Sequence, residues 1–124
     1  MEKILITTPI YYVNDKPHIG HAYTTLAADV LTRFFRAQGK DIFFLTGTDE
    51  HGAKIAEAAE KAGKSPKEIC DENSKFFKLA WDKLGIKYDY FIRTTDETHG
   101  KTVNDFLNEL KEKNVVYEKE YEGL

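Results

Sequence analysis

Two histidines, His18 and His21, flank Ile19 and Gly20 in the stretch "KPHIGHAYTT". Imidazoles at this spacing can ligate a metal, cap a helix, or donate hydrogen bonds to phosphate oxygens. A zinc pair needs further His or Cys ligands. The sequence supplies His51 and nearby carboxylates, and a single cysteine, Cys70. A cap requires only that a helix start there, and on spacing alone this is the commonest use of such a pair. A phosphate site requires the same helix start. The free N–H groups and positive dipole end of a helix draw anions. Two imidazole donors beside that end would contribute most if their bonds tightened as charge shifts in a transition state. Gly20 removes a side chain between them, so that a flat ring could lie against the backbone.

A second polar cluster lies in "GTDEHG": Thr48, Asp49, Glu50 and His51. Asp49 reads either as a turn or cap residue or as a carboxylate for a substrate cation. Glu50 and His51 have no stronger local reading than a solvated place on the surface. Tyr12, taken alone, reads as a packed aromatic.

Elements must bring these clusters together. Residues 3–8 ("KILITT") form a β-prone run that ends at Pro9, and a loop is expected over 9–17. A helix follows over 18–37. Its apolar stripe is Ala22, Leu26, Val30 and Phe34, widened by Ala27 and Leu31, and Asp29 and Arg33 are spaced to pair. Residues 41–46 are a second strand. Helices are expected over 53–62 and 65–84, the latter opened by a capping box with Ser65 as cap, Pro66 first in the helix and Glu68 completing it. Its apolar face carries Ile69, Phe76, Phe77, Ala80, Trp81 and Leu84. A strand at 88–94, a helix at 97–113 with Val103, Phe106, Leu107 and Leu110 on one side, and a strand at 115–121 complete the order. Strands separated by helices predict a parallel sheet. Ligands bind at the carboxyl ends of such strands, where both polar clusters fall.

The bulk numbers fit one domain. The chain has 124 residues, 41% hydrophobic and 13% aromatic, with a net charge of −3, which argues against a basic nucleic-acid surface within it. One cysteine excludes an internal disulfide framework and suits a reducing compartment. Neither a signal peptide nor a membrane span is legible, so a soluble, cytoplasmic protein is expected. Gly63-Lys64-Ser65 mimics the tail of a P-loop, but Ala58 occupies the required first glycine position and a helix precedes it. There is no G-x-G-x-x-G fingerprint and no nucleophile elbow.

"PHIGH" (residues 17–21) resembles the HIGH signature of the class I aminoacyl-tRNA synthetases. Its combination with "TTPIYYVNDKPHIGHAYTTLAADVLTRF" and "FLTGTDEHGAKI" resembles the methionyl branch over essentially the whole chain. The resemblance implies a Rossmann-like α/β fold, a parallel sheet with helices on its faces, representing the first half of the catalytic fold. It implies that the connective and zinc-bearing insertion, the second half-fold with its KMSKS loop, and the anticodon-binding domain all lie outside these 124 residues. The implied reaction is activation of methionine by ATP to methionyl-adenylate, then transfer to tRNA(Met). The implied ATP contacts are Tyr12, Asn14, His18, Gly20 and His21, with His18 and His21 catalytic. The implied methionine contacts are Ile10, Tyr12 and Asp49, the last holding the ammonium group. Mg²⁺ would accompany ATP, and zinc would belong to the longer enzyme rather than to this chain. Alanine at His18 or His21 is expected to slow activation with little effect on folding, and the isolated segment is expected to be weakly active or inactive. The alternatives are another class I synthetase or related nucleotidyltransferase, or a nucleotide-binding module without catalysis.

Overall fold

The structure, a computed structural model, describes residues 3–120. Two compact units divide between Thr94 and Thr95.

In the first unit, β1 (Lys3–Thr7), β2 (Tyr11–Tyr12), β3 (Asp41–Asp49) and β4 (Tyr90–Arg93) form one sheet, and all its pairings are parallel. The helices α1 (Ile19–Ala37), α2 (Ala53–Ala62) and α3 (Pro66–Lys83) connect the strands. β3 is central. Leu45 pairs with both Thr7 and Tyr90, and Thr48 with both Tyr11 and Arg93. A strand has two edges, so β1 and β2 share one of them and β4 takes the other. The expected loop over 9–17 therefore contains a short strand. Pro9 cannot donate to a ladder, so it breaks one β3 edge into two pieces. The second piece delivers Tyr12 opposite Asp49.

Side chains alternate across the sheet. Ile42, Phe44, Thr46 and Thr48 are buried, whereas Leu5, Phe43 and Tyr90 on the opposite face are 62%, 49% and 45% exposed. The core gathers Tyr11, Val13, Ala28, Phe44, Phe77 and Trp81 on the first face.

The apolar stripe expected on α1 is only partly the buried one. Thr25, Ala28, Asp29 and Thr32 face inward, while Val30, Leu31 and Phe34 are exposed. Polar residues succeed there because each finds a partner. The Thr25 and Thr32 hydroxyls donate to the carbonyls four residues back, at 2.8 Å each. Asp29 accepts from Arg33 Nε at 2.6 Å, the expected pair, and from the Lys87 amide at 2.8 Å. That carboxylate ties α1 to the loop before β4. On α3, Ile69, Phe77 and Trp81 are buried, but Phe76 and Leu84 are largely exposed. The Ser65–Glu68 capping box forms as expected, with Pro66 in the first turn.

The second unit consists of α4 (Glu97–Glu112) and the segment after it. Val103, Phe106 and Leu107 are exposed, so the expected apolar side is present but not buried. Asn114, at φ 53°, ends α4 in the left-handed conformation. The strand expected over 115–121 is not formed in residues 115–120, and Tyr121 lies outside the described residues. β-prone side chains make a strand only where an edge is offered for pairing.

Candidate active site

The carboxyl ends of β2 and β3 and the amino end of α1 carry the two polar clusters. His18 is the N-cap of α1, in extended conformation, and its side chain accepts from the Gly20 amide at 3.1 Å through Nδ1. His21 answers at the third helical position: its Nδ1 accepts from the His18 amide at 3.2 Å. The two histidines thus form a reciprocal capping box, a role usually filled by Ser or Thr with Glu or Gln. The capping reading of the pair is realised. It also has a chemical consequence. A ring whose Nδ1 accepts a hydrogen bond carries its hydrogen on Nε2. In that tautomer each imidazole keeps Nε2–H as its donor. They stack with centroids 3.8 Å apart, and His21 leans on Tyr11 and Phe77 at 4.7 and 5.2 Å. Tyr11 is itself anchored by its hydroxyl to Thr25 at 3.0 Å.

Gly20 is required by this arrangement. A Cβ there would lie 2.9 Å from Cε1 and 3.1 Å from Nδ1 of His18. The folded-back imidazole occupies the space that any other residue would fill.

Burial first, and the neighbouring His18 second, hold the His21 pKa below its ordinary 6.5. As pH falls through that value the unfolded chain takes up a proton that the folded chain still refuses, so folding weakens with acid. Protonation also removes the Nδ1 acceptor of the capping box. Thermal stability is expected to fall as the pH drops below about 6.5, and less so in His21→Gln, which keeps an acceptor that does not titrate. Melting curves at several pH values check this. An identical decline in the variant would contradict it.

Ile10, Tyr12, Asn14, His18 and His21 line one cleft of about 440 Å³, together with Tyr11, Asp15 and Lys16. Gly20 and Asp49 lie outside its lining. Asp49 instead stands opposite Tyr12 across the β2–β3 pair. A second cleft, of about 550 Å³, shares Asn14 and runs along α2 past Lys54, Glu57 and Lys61. The Lys54 ammonium sits 5.8 Å from the Tyr12 ring centroid, which links the two clefts. Although the second is larger, the first holds the histidine donors and is the better candidate for chemistry. The loop between β2 and α1 is held to α3 by Asn73 Nδ2 donating to the Val13 carbonyl at 2.6 Å, and by Lys16 over the Phe76 ring.

Glu50 corrects its sequence reading. It is 4% exposed, and its carboxylate accepts from Arg93 Nε at 2.7 Å and Nη2 at 2.8 Å. Thr48 Oγ1 donates to the same carboxylate at 2.8 Å, and Arg93 Nη2 also reaches Asp71 at 2.6 Å. The two carboxylates, Glu50 foremost, raise the Arg93 pKa further above its already high value. The Glu50 amide donates to Thr94 Oγ1 at 2.8 Å, and a ring bond joins His51 Nε2 to the Thr94 carbonyl at 3.2 Å. Acidic residues next to a strand end look solvated in sequence; the partner lies far along the chain on β4, and only the parallel pairing reveals it. Cys70 is buried against the Glu50 carbonyl, and burial pushes its thiol up to about 11, so it is not a nucleophile at neutral pH.

The sequence matches the family "tRNA synthetases class I (M)" over residues 4–124. The chain belongs to that family. It is 58% identical to methionine–tRNA ligase of Thermotoga maritima over 121 residues, covering 98% of this chain and 19% of that protein. The corresponding ligase of Helicobacter pylori is 54% identical over 123 residues, again 19% of its length. Among solved structures, Mycobacterium tuberculosis methionyl-tRNA synthetase in complex with methionyl-adenylate superposes with a TM-score of 0.87 at 41% identity. The match covers 90% of this chain and 22% of that one. The chain spans about one fifth of the length of the curated relatives it matches. The parallel α/β architecture expected from the sequence is that of the family.

Proposed function

We propose that the chain forms one wall of the amino-acid activation site of a longer methionine–tRNA ligase, which joins methionine to ATP and passes the product to tRNA(Met). The observation that carries this reading is the histidine pair. Two stacked imidazoles line a cleft at the amino end of α1, each capping the helix through Nδ1 and so leaving Nε2 as its remaining nitrogen for a ligand. The solved relative that superposes on the chain is described as bound to methionyl-adenylate.

The reaction balances simply. A methionine carboxylate oxygen attacks the α-phosphorus of ATP, one P–O bond forms, the bond to the bridging oxygen breaks, and pyrophosphate leaves. No covalent enzyme intermediate is needed. His18 and His21 donate to phosphate oxygens as negative charge builds on them, while the α1 N-terminus adds its dipole. Tyr12 and Asn14 border the nucleotide, Gly20 lies beneath the adenine with the His18 ring filling its side-chain space, and Ile10 with Tyr12 borders the methionine side chain. Asp49 takes the ammonium group in a charge-assisted bond. Among the described residues no group of three His, Cys, Asp or Glu is placed to hold a metal ion. Mg²⁺ would enter with the ATP phosphates and offset their charge. No described helix is long and apolar enough to cross a membrane; a cytoplasmic site of action is part of the proposal.

The test is amino-acid-dependent pyrophosphate exchange in the full-length protein with a panel of amino acids. Methionine alone should support rapid exchange, and comparable exchange with another amino acid would overturn the substrate assignment. Asp49→Ala is expected to raise the methionine KM by about 10²-fold, the loss of a hydrogen bond to a charged group, with the ATP KM little changed. An unchanged methionine KM would remove the ammonium contact.

A further inference from the structure

Asp49 has a precise task in the proposed reaction but little of its own to hold it. Its carboxylate is half-buried and accepts a long bond, 3.4 Å, from the His51 amide. The residues on either side of it are held far more firmly. Thr48 is buried and paired on both edges, to Tyr11 and to Arg93. Glu50 is buried, grips Arg93 with both carboxylate oxygens, and is bonded through its amide to Thr94. The Thr94 amide in turn donates to the Thr48 carbonyl at 3.2 Å. Arg93 extends the network to Asp71 on α3, which Lys67 also holds.

Side chains alternate along a strand, so clamping positions 48 and 50 to one face sets the direction of position 49 toward the other. A buried ion pair is a poor device for stability alone, since desolvation offsets most of its attraction. A geometric use better accounts for it. We infer that the Glu50–Arg93 pair positions Asp49, fixing the exit of β3 so that the Asp49 carboxylate meets the substrate ammonium without rearrangement. This rests on the ammonium assignment given above. Glu50 and Arg93 are positioning residues and touch no substrate.

The experiment measures KM for methionine and for ATP separately, by pyrophosphate exchange in the full-length protein. Glu50→Gln keeps the volume but sets an amide against the guanidinium. The paired change Glu50→Leu with Arg93→Met replaces the ion pair by apolar groups of similar size. In both, the methionine KM is expected to rise about tenfold or more, because a misaimed group loses its contact, while the ATP KM stays within about twofold. In an Asp49→Asn background the same changes are expected to add less than about twofold, since the residue they act through is already disabled. A folded Glu50→Gln variant with an unchanged methionine KM would overturn the inference. So would equal rises in both KM values, or a full further rise in the Asp49→Asn background, since either shows a general structural role. If Asp49→Asn alone leaves the methionine KM unchanged, the ammonium assignment fails first, and that failure is visible in a separate arm. Should the paired variant not fold, Glu50→Gln decides the matter.

Discussion

Replacing His18 or His21 by alanine is expected to lower the rate of amino-acid-dependent pyrophosphate exchange by about 10²- to 10³-fold, the usual cost of losing one preorganised donor to a developing oxyanion. The two replacements should not be additive. The rings stack on each other at 3.8 Å, and His21 caps the His18 amide while His18 caps the Gly20 amide, so losing one disturbs the second. The structure also changes what is expected of folding. From sequence, alanine at either position looked harmless to the fold. The reciprocal capping box means that His18→Ala strips α1 of its N-cap, at a cost of about 1 kcal/mol. Thermal denaturation followed by circular dichroism measures that cost. The kinetic effect is too large to be explained by it, because a protein that remains folded at the assay temperature keeps nearly all its molecules active. Exchange at the parental rate in both alanine variants would remove the catalytic assignment.

The second large effect is expected at Gly47, on the central strand, opposite Ile92 of β4. A Cβ at position 47 would lie 2.0 Å from the Ile92 carbonyl oxygen and 2.5 Å from its Cγ2. The nearest obstacle is backbone, so a rotamer change cannot relieve it. Neither strand can slide, because Thr48 next to Gly47 is paired on both sides. Overpacking of a rigid interior costs about 1–3 kcal/mol and more where backbone must move, whereas alanine recovers only about 0.5–1 kcal/mol of strand preference. Gly47→Ala is therefore expected to destabilise the protein by about 2 kcal/mol or more, read as a lowered denaturant midpoint. Because Arg93 and Thr94 follow Ile92 directly, a displaced β4 would also loosen the clamp on Glu50. A midpoint equal to that of the parent would show that β4 does not approach β3 as described.

Much of this was legible from the residues. The helix start at His18, the Ser65 capping box, the Asp29–Arg33 pair and the parallel strand order all rest on local signals: spacing, cap residues and glycine stops. What escaped depended on contacts between distant parts of the chain. Thr25 and Thr32 face inward on α1 because their hydroxyls satisfy themselves on the helix backbone, which a hydrophobic periodicity cannot register. Val30 and Phe34 fit the expected stripe, yet they face outward. The two-residue strand Tyr11–Tyr12 is too short for any alternation to declare it. Glu50 is buried only because Arg93 arrives beside it from β4. In the site itself, the residue types and the helix start pointed to the histidines, but their mutual capping, and so the tautomer that leaves Nε2–H free, required the backbone geometry.

In the proposed reaction the histidines that cap α1 are also the donors to the reacting phosphate. The double variant His18→Ser with His21→Leu separates these two roles. Ser is a good N-cap and leucine can pack where His21 leans on Tyr11 and Phe77, so the helix start is preserved while both imidazole donors are lost. Pyrophosphate exchange at saturating methionine and ATP is the decisive measurement, made on a variant whose melting temperature matches the parent. Exchange is expected to fall by at least about 10²-fold. A normally folded double variant that exchanges at the parental rate would contradict the donor role.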